Sequence, residues 1–209
     1  MIKDLVYKTR YFILKHQTGF VRIERLYYSI FPQLLLPTEA CALYKLAKES
    51  TGPIVEIGSY VGGSTVILAE GSARGNKVEV YAIDPHLGYL SEGHLYPDTK
   101  AAFEYNIRKT VSACLINPVY NYSSLAVKDC PDGIGLLFVD GDHSFEAVKK
   151  DLSLYKRKLS PDGVIVLHDY KKESVRNACN EELLIRINVD VAWQLVGRTK
   201  TLAVFRRKK

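Results

Sequence analysis

The four cysteines of this chain, Cys41, Cys114, Cys130 and Cys179, lie far apart, with no CxxC and no histidine cluster. That spacing excludes a disulfide framework and a thiolate metal site, and it predicts scattered core thiols in a reducing compartment. No apolar run approaches the roughly 20 residues that span a bilayer. The basic N-terminal residues lead into neither a long apolar stretch nor a small-residue cleavage site, so a cytoplasmic location is expected. The pattern G-x-G-x-x-G is also missing, which argues against an NAD-dependent oxidoreductase. Internal repeats, low-complexity linkers and a second domain are absent from the pattern as well. The single tryptophan, Trp193, is expected in the core.

Charge of one sign is scarce where it would matter for nucleic acid. Of the formal +6, residues 1–30 contribute +4 and residues 198–209 contribute +6, which leaves the body at −4. A nucleic-acid surface needs basic residues across a face, so nucleic acid is not an expected partner.

Apolar runs of strand length, alternating with helical patterns, are present instead. "GPIVEIG", "KVEVYAIDP", "PVYNYSS", "IGLLFVDGD" and "VIVLHDY" read as strands. "LPTEACALYKLAKES", with Thr38 as N-cap, reads as a helix, and so do "GSTVILAEGSA", "TKAAFEYNIRKTV", "SFEAVKKDLSLYKRKL" and "ESVRNACNEELL". "PDG" reads as a turn. "AWQLVGR" and "TLAVFRR" form a terminal hairpin. The prediction is α/β: a single doubly wound, Rossmann-like domain over residues 36–209, with a mostly parallel seven-stranded sheet and a C-terminal antiparallel hairpin. Residues 1–35 form a basic arm. On a helical wheel Lys3, Lys8, Arg10, Lys15, Arg22 and Arg25 oppose Leu5, Val6, Phe12, Ile13, Phe20 and Tyr27. Such an arm suits packing on the body or on a second copy of the chain, or peripheral contact with an anionic membrane.

In a doubly wound sheet, ligands bind beyond the carboxyl ends of the strands. Those ends carry Glu56 and Gly58, then Asp84, then Ser123 and Ser124, then Asp140 and Asp142, and finally His168 and Asp169. Carboxylates on four of five strand ends look like a site. In "VEIGSYVGGSTV", Gly58, Gly62 and Gly63 permit a tight turn close to a ligand, and the following helix offers free amides near Ser64. Glu56 before the turn would repel a diphosphate and attract a cationic or amino-bearing ligand, while Asp84 suits ribose hydroxyls. S-adenosylmethionine combines a sulfonium, an amino-acid end and a ribose.

At this point the sequence resembles the class I S-adenosylmethionine-dependent methyltransferases, from about residue 36 to the C-terminus. "VEIGSYVGGST" is similar to the loop of catechol and caffeoyl-CoA O-methyltransferases. "LFVDGDHSFEAVKKDL" with "LSPDGVIVLHDY" is similar to small bacterial enzymes of the macrocin and aminocoumarin-sugar type. The resemblance implies that Glu56, Gly58 and Ser59 line the sulfonium and amino-acid end, with Gly62 in the same turn. It further implies that Ser64 takes the carboxylate, Asp84 the ribose, and Ser123 and Ser124 the adenine edge.

Asp140 and Asp169 stand where that family binds Mg²⁺, but the neighbours that would complete the set are His168 and Tyr170. The resemblance thus leaves open Mg²⁺, a softer ion such as Mn²⁺ or Zn²⁺, or no metal. It implies Asp142 and His143 as a catalytic base pair. It gives a small molecule or glycan as acceptor, most directly a sugar hydroxyl, in a protein expected to form homo-oligomers. The rival readings are an N-methyltransferase and a binding protein without turnover. His86 and His94, with Tyr89 and Tyr96, are expected in a solvated loop with partly packed aromatics, a place over the acceptor being the alternative.

Overall fold

The computed structural model describes residues 35–91, 94–96, 98–184 and 193–208. The basic arm expected over residues 1–35 falls almost wholly outside them. Helix α1 (Pro37–Glu49) leads into β1 (Ile54–Ile57), α2 (Gly63–Ala73) and β2 (Val80–Ile83). A small hairpin, β3 (Tyr89–Ser91) with β4 (His94–Tyr96), precedes α3 (Lys100–Arg108), β5 (Ile116–Val119) and the single turn α4 (Ser123–Ala126). Then come β6 (Ile134–Val139), α5 (Phe145–Tyr155), β7 (Leu159–Leu167) and α6 (Glu173–Cys179), which runs on as a π-helix to Leu184. The hairpin β8 (Trp193–Thr199) and β9 (Leu202–Arg207) closes the chain.

The main sheet has seven strands in the order β5-β2-β1-β6-β7-β9-β8. β9 is antiparallel to both β7 and β8, and the other pairings are parallel. The parallel strands are covered on both faces, which is why they read as unbroken apolar runs. Alternate residues supply the two cores. Ile54, Leu136, Phe138 and Val166 face one layer with Ile67, Leu68 and Phe103. Val55, Ile57, Leu137, Val139 and Ile165 face the other with Leu152, Tyr155 and Phe205.

Three local expectations differ from the fold. α1 is capped at Leu36 rather than Thr38: Pro37 takes the first helical position and the Glu39 carboxylate accepts from the Leu36 amide at 2.9 Å. "PDG" lies within β7, whose register against β6 shifts at its start. "PVYNYSS" is strand only to Val119, after which Ser123 opens α4. Cys114 is exposed while the other three thiols are buried, and none of the four forms a disulfide. Trp193 is buried in the core. Among the described residues, no helix is long and apolar enough to cross a membrane.

Candidate functional site

A doubly wound sheet whose strand order reverses, as here between β1 and β6, binds its ligand in the crevice beyond the carboxyl ends of its strands. The backbone ladder continues into the residues that line it. The Gly58 amide donates to Ile83 O at 2.9 Å, Asp140 to Ile57 O at 2.8 Å, and His168 to Val139 O at 3.0 Å. Site residues are therefore the last rungs of a rigid sheet.

Gly58 and Gly62 both have φ of 89°. A Cβ on Gly58 would stand 2.3 Å from Asp140 O, so this glycine lets the β1 and β6 loops touch. At Gly62, the N-cap of α2, it would meet the Phe103 ring at 3.2 Å. The glycines thus first answer to neighbouring protein. Five described residues adopt the left-handed region without being glycine; Lys77 and Lys200 sit in tight turns, whereas Tyr60, His86 and Asp169 lie in the loops after β1, β2 and β7. Such strain gathers where surrounding structure fixes a functional geometry.

On the β1 side Glu56 is fully buried beneath α2. Thr65 Oγ1 donates to its Oε2 at 2.5 Å, whereas its Oε1 and the Ser59 hydroxyl make no hydrogen bond. Burial pushes the Glu56 carboxyl up to about 7, against the pull of the nearby Ser64, Thr65 and Ser59 hydroxyls, of which Thr65 makes the aligned hydrogen bond, and Asp140 adds to the rise. No cation balances it among the described residues. Asp84 accepts from the Tyr60 amide at 2.8 Å and from the His86 amide at 2.7 Å, one on each oxygen. A carboxylate has about four acceptor sites, so each oxygen keeps one for a ligand.

In the sequence His86 reads as a residue of a solvated loop, with a place over the acceptor as the alternative. It is instead buried, its ring 2.9 Å from Thr99 Oγ1 and stacked obliquely on Phe103 at 4.6 Å. Burial lowers its pKa against the pull of Asp84. It braces Asp84, a role the sequence pattern did not signal. His94, Tyr89 and Tyr96 fall in the β3–β4 hairpin.

On the β6–β7 side, Asp140, His143, His168 and Asp169 come together. His168 Nδ1 lies 2.9 Å from Asp140 Oδ1, and His143 Nε2 lies 2.9 Å from Asp169 Oδ2 and 3.6 Å from Asp140 Oδ1. Lys172 Nζ is 2.7 Å from Asp169 Oδ2. Behind His168 stands Glu39, with Oε2 3.8 Å from His168 Nε2 and Oε1 accepting from the amide and hydroxyl of Thr201. Burial opposes charge on His168, but Asp140, Glu39 and Asp169 outweigh it and raise its pKa to about 10. Burial likewise pushes Glu39 up, yet His168, Thr201 and Leu36 bring it down to about 2. Asp169 is also lowered: Lys172, His168 and His143 outweigh its burial. Glu39 joins the site from the first turn of α1, which only its position as third helical residue, two after Pro37, could have hinted at.

The remaining candidates lie apart from these two groups. Asp142 is exposed and accepts from the Ser144 amide at 2.8 Å, which fixes the start of α5 while His143 turns inward. Ser123 donates its hydroxyl to Asp151 at 2.5 Å and its carbonyl accepts from Tyr155, with Ser124 beside it on α4. A Mg²⁺ ion takes oxygen ligands, and a set of two imidazoles, a lysine-paired carboxylate and one further carboxylate does not suit it.

The chain matches, over residues 55–170, the model of a family described as a methyltransferase domain. It is 30% identical over 118 residues to an uncharacterized protein of Acanthamoeba polyphaga mimivirus, a match covering 56% of this chain and 51% of that protein. The chain therefore spans about half the length of the curated relative it matches. Its fold is similar to that of a Podospora anserina methyltransferase bound to S-adenosylhomocysteine, with TM-score 0.67, 16% identity, and coverage of 100% of this chain and 97% of that one. It is also similar to an O-methyltransferase of Streptomyces achromogenes involved in tomaymycin synthesis, in complex with S-adenosylmethionine. There the TM-score is 0.64 at 14% identity, with 90% and 89% of the two chains covered.

Proposed function

Because the chain belongs to the methyltransferase domain family and has the class I S-adenosylmethionine-dependent methyltransferase fold, we propose that it transfers the methyl group of S-adenosylmethionine to a hydroxyl of a small molecule or sugar. One observation carries the cofactor reading. Glu56 is buried without a counter-charge, and one of its oxygens is unpartnered beside the unpartnered Ser59 hydroxyl. Leaving a buried acid so exposed to desolvation is costly unless a cationic ligand completes it. The ammonium and sulfonium of the cofactor are such a ligand. Asp84, with acceptor sites to spare, suits its ribose.

In the transfer the carbon–sulfur bond breaks with its electron pair remaining on sulfur, a carbon–oxygen bond forms, and the hydroxyl proton passes to a base. Alignment of oxygen, carbon and sulfur supplies most of the acceleration, and the sheet-end rungs give the rigidity for it. Asp142 and His143 are the base candidates. The O-methyltransferase among the similar structures supports a hydroxyl acceptor.

Incubation with methyl-labelled S-adenosylmethionine and a panel of phenols, sugars and amines tests this reading. Labelled ether and stoichiometric S-adenosylhomocysteine with hydroxyl acceptors are expected. Label on amines alone would establish the N-methyltransferase instead. Cofactor binding with no product across the panel would mark a protein that binds without turnover.

A further inference from the structure

Asp151 is a buried acid that methyl transfer leaves unused. It sits on α5, 4% exposed, and its Oδ1 accepts from the Ser123 hydroxyl at 2.5 Å. Burial pushes its carboxyl up to about 6 against the pull of Ser123, while Asp142 adds to the rise and Lys150 opposes it. Packing alone gives no reason to keep a carboxylate there, since a leucine of similar volume would carry no desolvation cost. One turn further along α5, Tyr155 is fully buried and donates its hydroxyl to the Ser123 carbonyl at 2.7 Å. Burial holds that phenol far above its ordinary range, so it stays a donor. α5 therefore grips Ser123 twice, Tyr155 by the backbone and Asp151 by the hydroxyl hydrogen.

The second grip fixes the polarity of the hydroxyl. A serine hydroxyl has one hydrogen and two lone pairs, and it ordinarily rotates to donate or to accept as its partner requires. With the hydrogen committed to a carboxylate, the Ser123 oxygen can only accept. Ser123 is half-buried at the head of α4, just beyond the carboxyl end of β5. β5 lies beside β2, and β2 beside β1. The ends of these strands, about 4.8 Å apart, carry Glu56, Asp84 and Ser123 in that order. The inference rests on the methyltransferase reading, in which the cofactor places its amino-acid end and sulfur at Glu56 and its ribose at Asp84. The base, next beyond the ribose, then reaches Ser123.

We propose that Asp151 sets the base specificity of the cofactor site. By holding the Ser123 hydrogen it makes that hydroxyl an obligate acceptor, which takes the exocyclic amine of adenine and rejects an oxo group in the same place. Ser123 is the residue that meets the base. Asp151 acts through it and is a positioning residue.

The test is calorimetric titration of S-adenosylhomocysteine and of S-inosylhomocysteine, which carries hypoxanthine in place of adenine. Wild type, Asp151→Leu and Ser123→Ala are compared at about pH 8, where Asp151 is ionised, with thermal unfolding to confirm that each protein is folded. Wild type is expected to prefer the adenine ligand at least about tenfold, because the oxo group would face an acceptor. In both variants the preference should fall to within about threefold, from opposite directions. Asp151→Leu frees the hydroxyl to donate, so the hypoxanthine ligand binds more tightly. Ser123→Ala removes the acceptor, so the adenine ligand binds more weakly. A merely structural role for Asp151 would weaken both ligands alike and keep their ratio. No binding of S-adenosylhomocysteine to wild type would sink the methyltransferase reading and this inference with it. Binding without preference in wild type, or a preference intact in either variant, would overturn the role of Asp151 and leave that reading standing.

Discussion

Glu56 on β1 and Asp140 on β6 end neighbouring strands, yet the protein surrounds them in opposite ways. Around Glu56 there are only hydroxyls, burial raises its pKa, and one oxygen has no partner. Around Asp140 the acids Glu39 and Asp169 are matched by His143, His168 and Lys172. The first region is unbalanced, and it is there that we propose the cationic ligand binds. The second is largely balanced within the protein. Burial alone therefore does not assign an acid its role; the partners it lacks do.

The largest effect expected is on the hinge between the two regions. Gly58→Ala places a Cβ 2.3 Å from Asp140 O at a φ of 89°, and the backbone has to move. A loss of about 4 kcal/mol in urea unfolding is expected. Gly62→Ala has the same φ but meets only side chains, at 3.2 and 3.3 Å, and about 1–2 kcal/mol is expected. Equal losses would mean that the β1 and β6 loops do not depend on close contact.

Next comes the unbalanced acid itself. The folded Glu56 value of about 7 lies above the ordinary 4.5, so its contribution to stability is present below pH 4.5 and is lost as pH rises through 7. About 2–3 kcal/mol of that contribution should disappear between pH 5 and 8 in the ligand-free protein. Glu56→Gln should remove this pH dependence and be the more stable protein at pH 8. The same substitution should weaken S-adenosylhomocysteine binding about 100-fold, since a buried charged hydrogen bond is lost. A variant that is stabilised yet binds normally would break the comparison.

The smallest effect belongs to the balanced side. Lys172→Ala removes a half-exposed partner of Asp169, and at most about 1 kcal/mol of stability should go with it. Affinity for S-adenosylhomocysteine should stay within about twofold of wild type, because the proposed cofactor contacts lie on the β1 and β2 side.

How much of this was readable in the sequence follows from how local each feature is. "VEIG", "VYAID", "LFVDGD" and "VIVLHD" are apolar runs with an acid at or next to their end, and each is a strand ending at the candidate site. The glycine turn was readable for its shape but not for its cause, since the atoms that require Gly58 are 82 positions on, at Asp140. Glu39 was invisible for the same reason: its partner Thr201 is 162 residues away. Adjacent residues also part company. Asp142 and His143 read as one unit, but a turn that gives Asp142 to the Ser144 amide sends His143 inward. His86 looked like a loop histidine because nothing nearby announces Phe103 or Thr99 as its packing partners.

The most direct measurement is a calorimetric titration of S-adenosylhomocysteine into the wild-type protein and into Asp84→Ala. The account predicts micromolar binding to the wild type. It predicts affinity about 100-fold weaker in the variant, where the ribose loses its acceptor and the Tyr60 and His86 amides lose theirs. No binding to the wild type, or equal binding to both proteins, would contradict it.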